Sequence, residues 1–188
     1  MSKKVRNLIY SDYLRYRETY TRINLFKEFI RNKAFRYSFF MRLYKFNIDK
    51  NNIKIATCVK IIKELIFMNS TIEIPLAIEV GEGLYMGHFS GITINPNVHI
   101  GNYVNIHKGV TIGKENRGKR IGVPKIGDKV WIGVNVTIVG RINIGDNVLI
   151  APNSFVNFDV PSNSIVIGNE IKPSINATEG YIDYKMLS

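Results

Sequence analysis

Long apolar runs are missing from this 188-residue chain; the longest, such as residues 65–68, are four residues. A membrane-spanning helix needs about 20, so none is expected. The opening MSKKVRNLIY is basic but has no apolar stretch behind it, so it does not read as a signal peptide, and a cytoplasmic protein is expected. Cysteine is reduced to Cys58, which excludes an intrachain disulfide. Set among helix formers, Cys58 reads as a small buried apolar side chain rather than a nucleophile. Only three histidines are present, His88, His99 and His107, and no metal-ligand carboxylate cluster accompanies them, so no metal is expected. Acids are scarce as well: 15 Asp and Glu face 26 Lys and Arg, a net charge of +11.

That charge is split unevenly. Residues 1–73 hold 16 Lys and Arg against 6 acids, and 13 of the 21 aromatic residues; the remainder is nearly neutral. Two readings stand side by side. Aromatics form the core of a helical unit whose cations solvate its outside, or the cations dock on an anionic membrane face or another polyanion. No nucleic acid is expected as a partner. Within the segment, residues 24–46 place apolar side chains near a 3.6-residue period, which predicts an amphipathic helix interrupted near Asn32. Residues 51–67 predict a second helix with Ile55, Val59, Ile62 and Ile66 on one side.

From Ile74 the spacing changes to a strict period of six. Large aliphatics fall at Ile74, Val80 and Met86, slip by two residues, then continue at Ile94, Ile100, Ile106 and Ile112. After an interruption they resume at Ile126, Ile132, Ile138, Ile144, Ile150 and Val156. Glycine follows many of them, as at Gly81, Gly101, Gly127 and Gly145. Each hexapeptide makes a short strand and a tight corner, and three complete one triangular coil with the aliphatics inside. Coils stack at the parallel-strand spacing of roughly 4.8 Å, and glycine serves corners where a positive φ or close chain packing is needed. The expected architecture is mainly β: a parallel β-helix over residues 74–168 with a loop inserted at 113–125. An α-helical unit at 1–73 precedes it and a tail at 169–188 follows.

The segments GEGLYMGHFSGITIN (81–95), VNIHKGVTIG (104–113), PKIG (124–127) and VWIGVNVTIVGRINIGDNVLIAPNSFV (130–156) resemble the left-handed β-helix acyltransferases with hexapeptide repeats, and specifically the serine acetyltransferase branch. Upstream, NKAFRYSFFMRL (32–43) is similar to helical leaders of sugar O-acetyltransferases that decorate capsules and exopolysaccharides. The resemblance implies a left-handed prism and acetyl transfer from acetyl-CoA. It also implies a homotrimer with active sites between subunits, and His88, in the GHFSG segment, as the general base. Removing a hydroxyl proton during attack on a thioester suits an imidazole that titrates near neutrality.

By the same resemblance, the pantetheine arm of the cofactor runs past Gly113, Val134 and Pro152, and Lys172 stands near its phosphates. His107, one coil beyond His88, is a candidate acceptor contact; a solvated outward position is the plain alternative. Arg117 and Arg120, in the cationic insert, face an anionic group or simply solvate a loop. Serine acetyltransferases carry an Asp where this chain has Gly87, and an Arg-His pair where it reads Lys119-Arg120-Ile121-Gly122-Val123. The acceptor expected from these departures is a sugar or glycan hydroxyl, with serine as the alternative. A reading of another class is a non-catalytic trimeric scaffold that binds membrane or polyanion through its basic leader.

Overall fold

The computed structural model describes residues 3–182. Four helices come first: α1 Lys3–Leu14, α2 Arg22–Arg31, α3 Lys33–Asp49 and α4 Ile53–Ile66. The expected interruption near Asn32 has a local cause. Its backbone leaves the helical region at φ −99° and ψ 107°, and its Oδ1 accepts from Ala34 N and Phe35 N, so one residue ends α2 and caps α3. Phe35, Tyr37, Phe40 and Met41 bury the inner face of α3, while Val5, Ile9 and Tyr13 do so for α1.

The expectation for α4 needs correction. Only Ala56, Val59 and Lys63 of that helix are buried; Ile55, Ile62 and Ile66 are 54%, 48% and 45% exposed. Cys58 is exposed too, contrary to its reading as a core residue. The side that carries Ala56, Val59 and Lys63 packs against α3, so the larger apolar side chains turn outward.

Fourteen short strands follow: β1 Glu79–Val80, β2 Tyr85–Gly87, β3 Thr93–Ile94, β4 His99–Ile100, β5 Asn105–His107, β6 Thr111–Gly113, β7 Lys125–Ile126, β8 Val130–Ile132, β9 Thr137–Val139, β10 Asn143–Ile144, β11 Val148–Ile150, β12 Phe155–Val156, β13 Ser164–Ile167 and β14 Glu170–Pro173. They form three faces: β1-β4-β7-β10, β2-β5-β8-β11-β13 with β14 added, and β3-β6-β9-β12. All pairings between these strands are parallel except β13 with β14. This is a left-handed parallel β-helix of hexapeptide repeats behind a helical segment.

Register explains the period of six. Met86, Ile106, Ile132, Ile150 and Val166 stack in one column, and Ile94, Ile112, Ile138 and Val156 in another. Every one is at most 3% exposed. Burying each such side chain stabilises by about 1.5–3 kcal/mol, and a one-residue slip would turn a whole column to water. Glycine after the column residues serves close approach: a Cβ on Gly101 would lie 2.5 Å from Gly127 O. The left-handed corner positions are shared by glycine at 83 and 109, asparagine at 135, 147, 153 and 163, and Tyr103 and Lys129, since asparagine tolerates that backbone region.

A stacked solenoid leaves strand edges at its ends, and their backbone groups need partners. At β2 and the turn before it, α1 and the segment after it supply them. Ser11 Oγ accepts from Gly83 N, Asp12 Oδ1 from Leu84 N and Tyr16 Oη from Met86 N, at 3.0, 2.9 and 2.9 Å. Burial holds the Tyr16 phenol well above its ordinary pKa, with the Met86 N–H bond pulling the other way. At the other end, β14 folds back antiparallel on β13. The tail then packs on the prism, burying Ala177, Thr178 and Ile182.

Candidate active site

The two-residue slip between Met86 and Ile94 is where His88 enters. Higher coils turn the same corner with a regular ladder: Gly109 N donates to Ser90 O, Asn135 N to Lys108 O and Asn153 N to Val134 O. In the first coil the extra residues loop out, and His88 sits exposed in the left-handed region at φ 50°. Phe89 anchors the loop, its ring 5.4 Å from that of Tyr37 and 6.3 Å from that of Phe67. The helical segment thus fixes the backbone that presents the imidazole.

His107 lies one coil above, in register with Gly87. Its Nδ1 is 2.9 Å from Ile132 O. A carbonyl only accepts, so Nδ1 carries the hydrogen and Nε2 the lone pair. Burial lowers the pKa of His107; the Ile132 bond opposes this and the nearby His88 adds to it. The two rings are 6.5 Å apart. Gly87 is what admits the His107 ring, since a Cβ at Gly87 would stand 2.7 Å from its Cδ2 and 2.9 Å from its Nε2.

An aromatic row that the sequence reading missed surrounds His107. Tyr85 is 6.2 Å and Trp131 4.7 Å from it, and Tyr181 of the tail stands 5.0 Å from Trp131. Asn105, only 4% exposed, joins the ends of the chain here: its Oδ1 accepts from Arg15 Nη2 at 2.6 Å and its Nδ2 donates to Tyr181 O at 3.1 Å. Period-two alternation within each three-residue strand would have placed Tyr85, Asn105 and Trp131 outward on this face.

The remaining expected residues are spread over the prism. Val134 and Pro152 share the corner column above His88, whereas Gly113 ends β6 at the far margin of that sheet, opposite Val139. Lys172 is exposed on β14, paired with Ile165. The insert is a small closed hairpin: Glu115 and Gly122 exchange backbone bonds of 2.9 and 3.0 Å, and Glu115 Oε1 accepts from Asn116 N and Arg117 N. Arg117 and Arg120, with Lys119 and Gly140, line a cavity of about 380 Å³. They leave the sheet after β6, while His88 precedes β3, so within one chain they stand at opposite margins of the same face. His99 is on another face, 3.1 Å from Glu79 Oε2. Among the described residues no three His, Cys, Asp or Glu side chains converge as a metal site. A cavity of about 860 Å³ lies between α1, α3 and the first face and includes neither His88 nor His107.

Residues 124–157 match the bacterial transferase hexapeptide (six repeats) family. Over that stretch the prism is similar to bacterial transferase hexapeptide arrays. Serine acetyltransferase 2 of Arabidopsis thaliana is 44% identical over 103 residues, which cover 54% of this chain and 31% of that protein. The Helicobacter pylori (strain 26695) serine acetyltransferase is 35% identical over 101 residues, covering 54% and 59%. The chain therefore spans about a third to three-fifths of the curated relatives it matches. Two solved structures extend the likeness to the helices. Soybean serine acetyltransferase complexed with serine has a TM-score of 0.72 at 26% identity, covering 91% of this chain and 70% of that one. The Neisseria gonorrhoeae serine acetyltransferase in complex with serine gives 0.71 at 27%, covering 92% and 70%. The hexapeptide array thus resembles the serine acetyltransferase branch in sequence and in fold. None of these relatives is named for a sugar acceptor.

Proposed function

We propose that this chain is an acetyl-CoA-dependent O-acetyltransferase with His88 as its general base. The observation that carries the reading is His88 itself, exposed at the looped-out corner of a hexapeptide array similar to serine acetyltransferases. The imidazole takes the proton of the acceptor hydroxyl as its oxygen attacks the thioester carbonyl. The C–S bond then breaks, and the imidazolium returns the proton to the CoA sulfur, so acceptor and acetyl-CoA become ester and free thiol. Backbone N–H groups beside the thioester carbonyl stabilise the developing oxyanion. Acetyl-CoA runs along the corner column of Val134 and Pro152, and Gly113 and Lys172 contribute to its binding. The placement of Arg117 and Arg120 across the sheet from His88 supports a homotrimer in which one protomer's insert completes its neighbour's site.

For the acceptor, the names of the relatives favour serine over the sugar expected from the sequence alone. One observation favours a sugar-like hydroxyl as a second reading: Gly87 and His107 occupy the place where the resembled family carries an Asp. Thiol release from acetyl-CoA, measured with L-serine and with a panel of hexoses, decides between them. Replacing His88 by Asn, which tolerates the left-handed backbone, should lower turnover by about 10²- to 10⁴-fold; undiminished turnover removes His88 from the mechanism.

A further inference from the structure

The Gly87–His107 pair does more than fill a corner. It places a second hydrogen-bonding nitrogen beside the base, with its tautomer already fixed. The Nδ1 hydrogen is committed to Ile132 O, and the opposite edge of the ring, Cδ2 and Nε2, faces the bare Cα of Gly87, the residue immediately before His88. Trp131 and Tyr85 flank the ring and hold its plane. Ring centroids 6.5 Å apart, with imidazole nitrogens reaching about 2.8–3.0 Å to a partner, put both imidazoles within the span of one molecule that carries two donors on adjoining carbons.

Resting on the reading of the chain as an O-acetyltransferase, we infer that His107 Nε2 accepts a hydrogen bond from a second donor next to the reacting hydroxyl, so that the acceptor is a 1,2-diol or a 2-amino alcohol. His107 is then a specificity-determining residue, and Gly87 is small so that His107 fits. The reacting hydroxyl donates to His88 and its neighbour to His107, which fixes the attacking oxygen without a carboxylate at position 87. Loss of one neutral hydrogen bond typically costs up to about tenfold.

The test uses matched acceptor pairs with the full-length protein: L-serine against 3-hydroxypropionate, and trans-cyclohexane-1,2-diol against cyclohexanol. Wild type should prefer the two-donor member of at least one pair by about tenfold in kcat/KM, with the difference mostly in KM. In His107→Leu that ratio should fall toward one, and His107→Gln, which keeps an accepting oxygen, should restore part of it. Gly87→Ala should lower the ratio as well, through displacement of the His107 ring. Equal kcat/KM within both pairs, or a ratio that survives in His107→Leu, overturns the inference. The same samples carry a readout independent of turnover: in ¹⁵N-histidine spectra the two-donor compounds should move the His107 Nε2 resonance and the one-donor compounds should not. That shift without any thiol release sinks the transferase reading and leaves the pocket standing; thiol release without the shift does the reverse.

Discussion

The Asp12 carboxylate, fully buried, receives both Nε and Nη2 of Arg42 at 2.9 Å. The same guanidinium donates to Val80 O at 2.7 Å and Gly81 O at 2.5 Å. One side chain therefore ties α1, α3 and the first coil together. Arg42→Ala would leave a buried carboxylate unpaired and should cost about 3–5 kcal/mol, read as a lower urea midpoint with an unchanged slope. A loss below about 1 kcal/mol would show that water reaches Asp12.

The prism core should respond by column. Ile132→Ala, at a fully buried position, should cost about 2–5 kcal/mol. Ile55→Ser on the outward side of α4 should change the midpoint by less than about 0.5 kcal/mol. Comparable losses at both sites would mean that the assembled protein covers that helix.

Glycines should separate by mechanism. Gly101→Ala drives a Cβ against the backbone of the next coil and should destabilise by about 1–3 kcal/mol. Gly168→Ala meets nothing within 4 Å but sits at φ 64°, so it should cost only about 1 kcal/mol. Urea unfolding of the two variants side by side checks the order.

Stability should fall with acid through His107. Burial sets its folded pKa below the ordinary 6.5, so in the window below 6.5 the unfolded chain binds the extra proton and the folded chain resists it. The contribution is complete above that value and is lost as pH drops toward the folded pKa. Stability curves at pH 7.5 and 5.5 should converge in His107→Gln relative to wild type; an identical slope in both would place the titration elsewhere.

A shared active site makes a mixing prediction. Coexpressed His88→Asn and Arg120→Ala chains, each inactive alone, should regain about a quarter of wild-type turnover in random trimers, because some interfaces then pair an intact histidine with an intact insert. Mixed trimers as inactive as their parents would confine the site to one chain.

The interior of the prism was legible because a column that must stack on itself imposes one period on the chain, and Ile100, Ile126 and Ile144 obey it. The departures from that period were legible as places: the slip became the His88 corner and the interruption became the insert hairpin. What occupies those places was less so. His107 could be named from its coil position, but its bond to Ile132 O and its dependence on Gly87 are tertiary facts. The α4 stripe misled because apolar residues cover most of that helix, and the approach of α3 decided which were buried. The seat of the tail was also hidden, since it depends on Asn147 Oδ1 receiving Thr178 Oγ1 at 2.7 Å, a pairing with no local signature.

An unfinished stack of parallel coils is a template on which another copy can grow. Ser11, Asp12 and Tyr16 close that template from below, and the reversed β14 closes it from above, so the column has a defined length. A chain shorn of its first sixteen residues would lose one of its two stops together with the clamp on Asn105, and its natural fate would be columns joined in pairs at their bare ends, since the reversed β14 still forbids growth in the other direction.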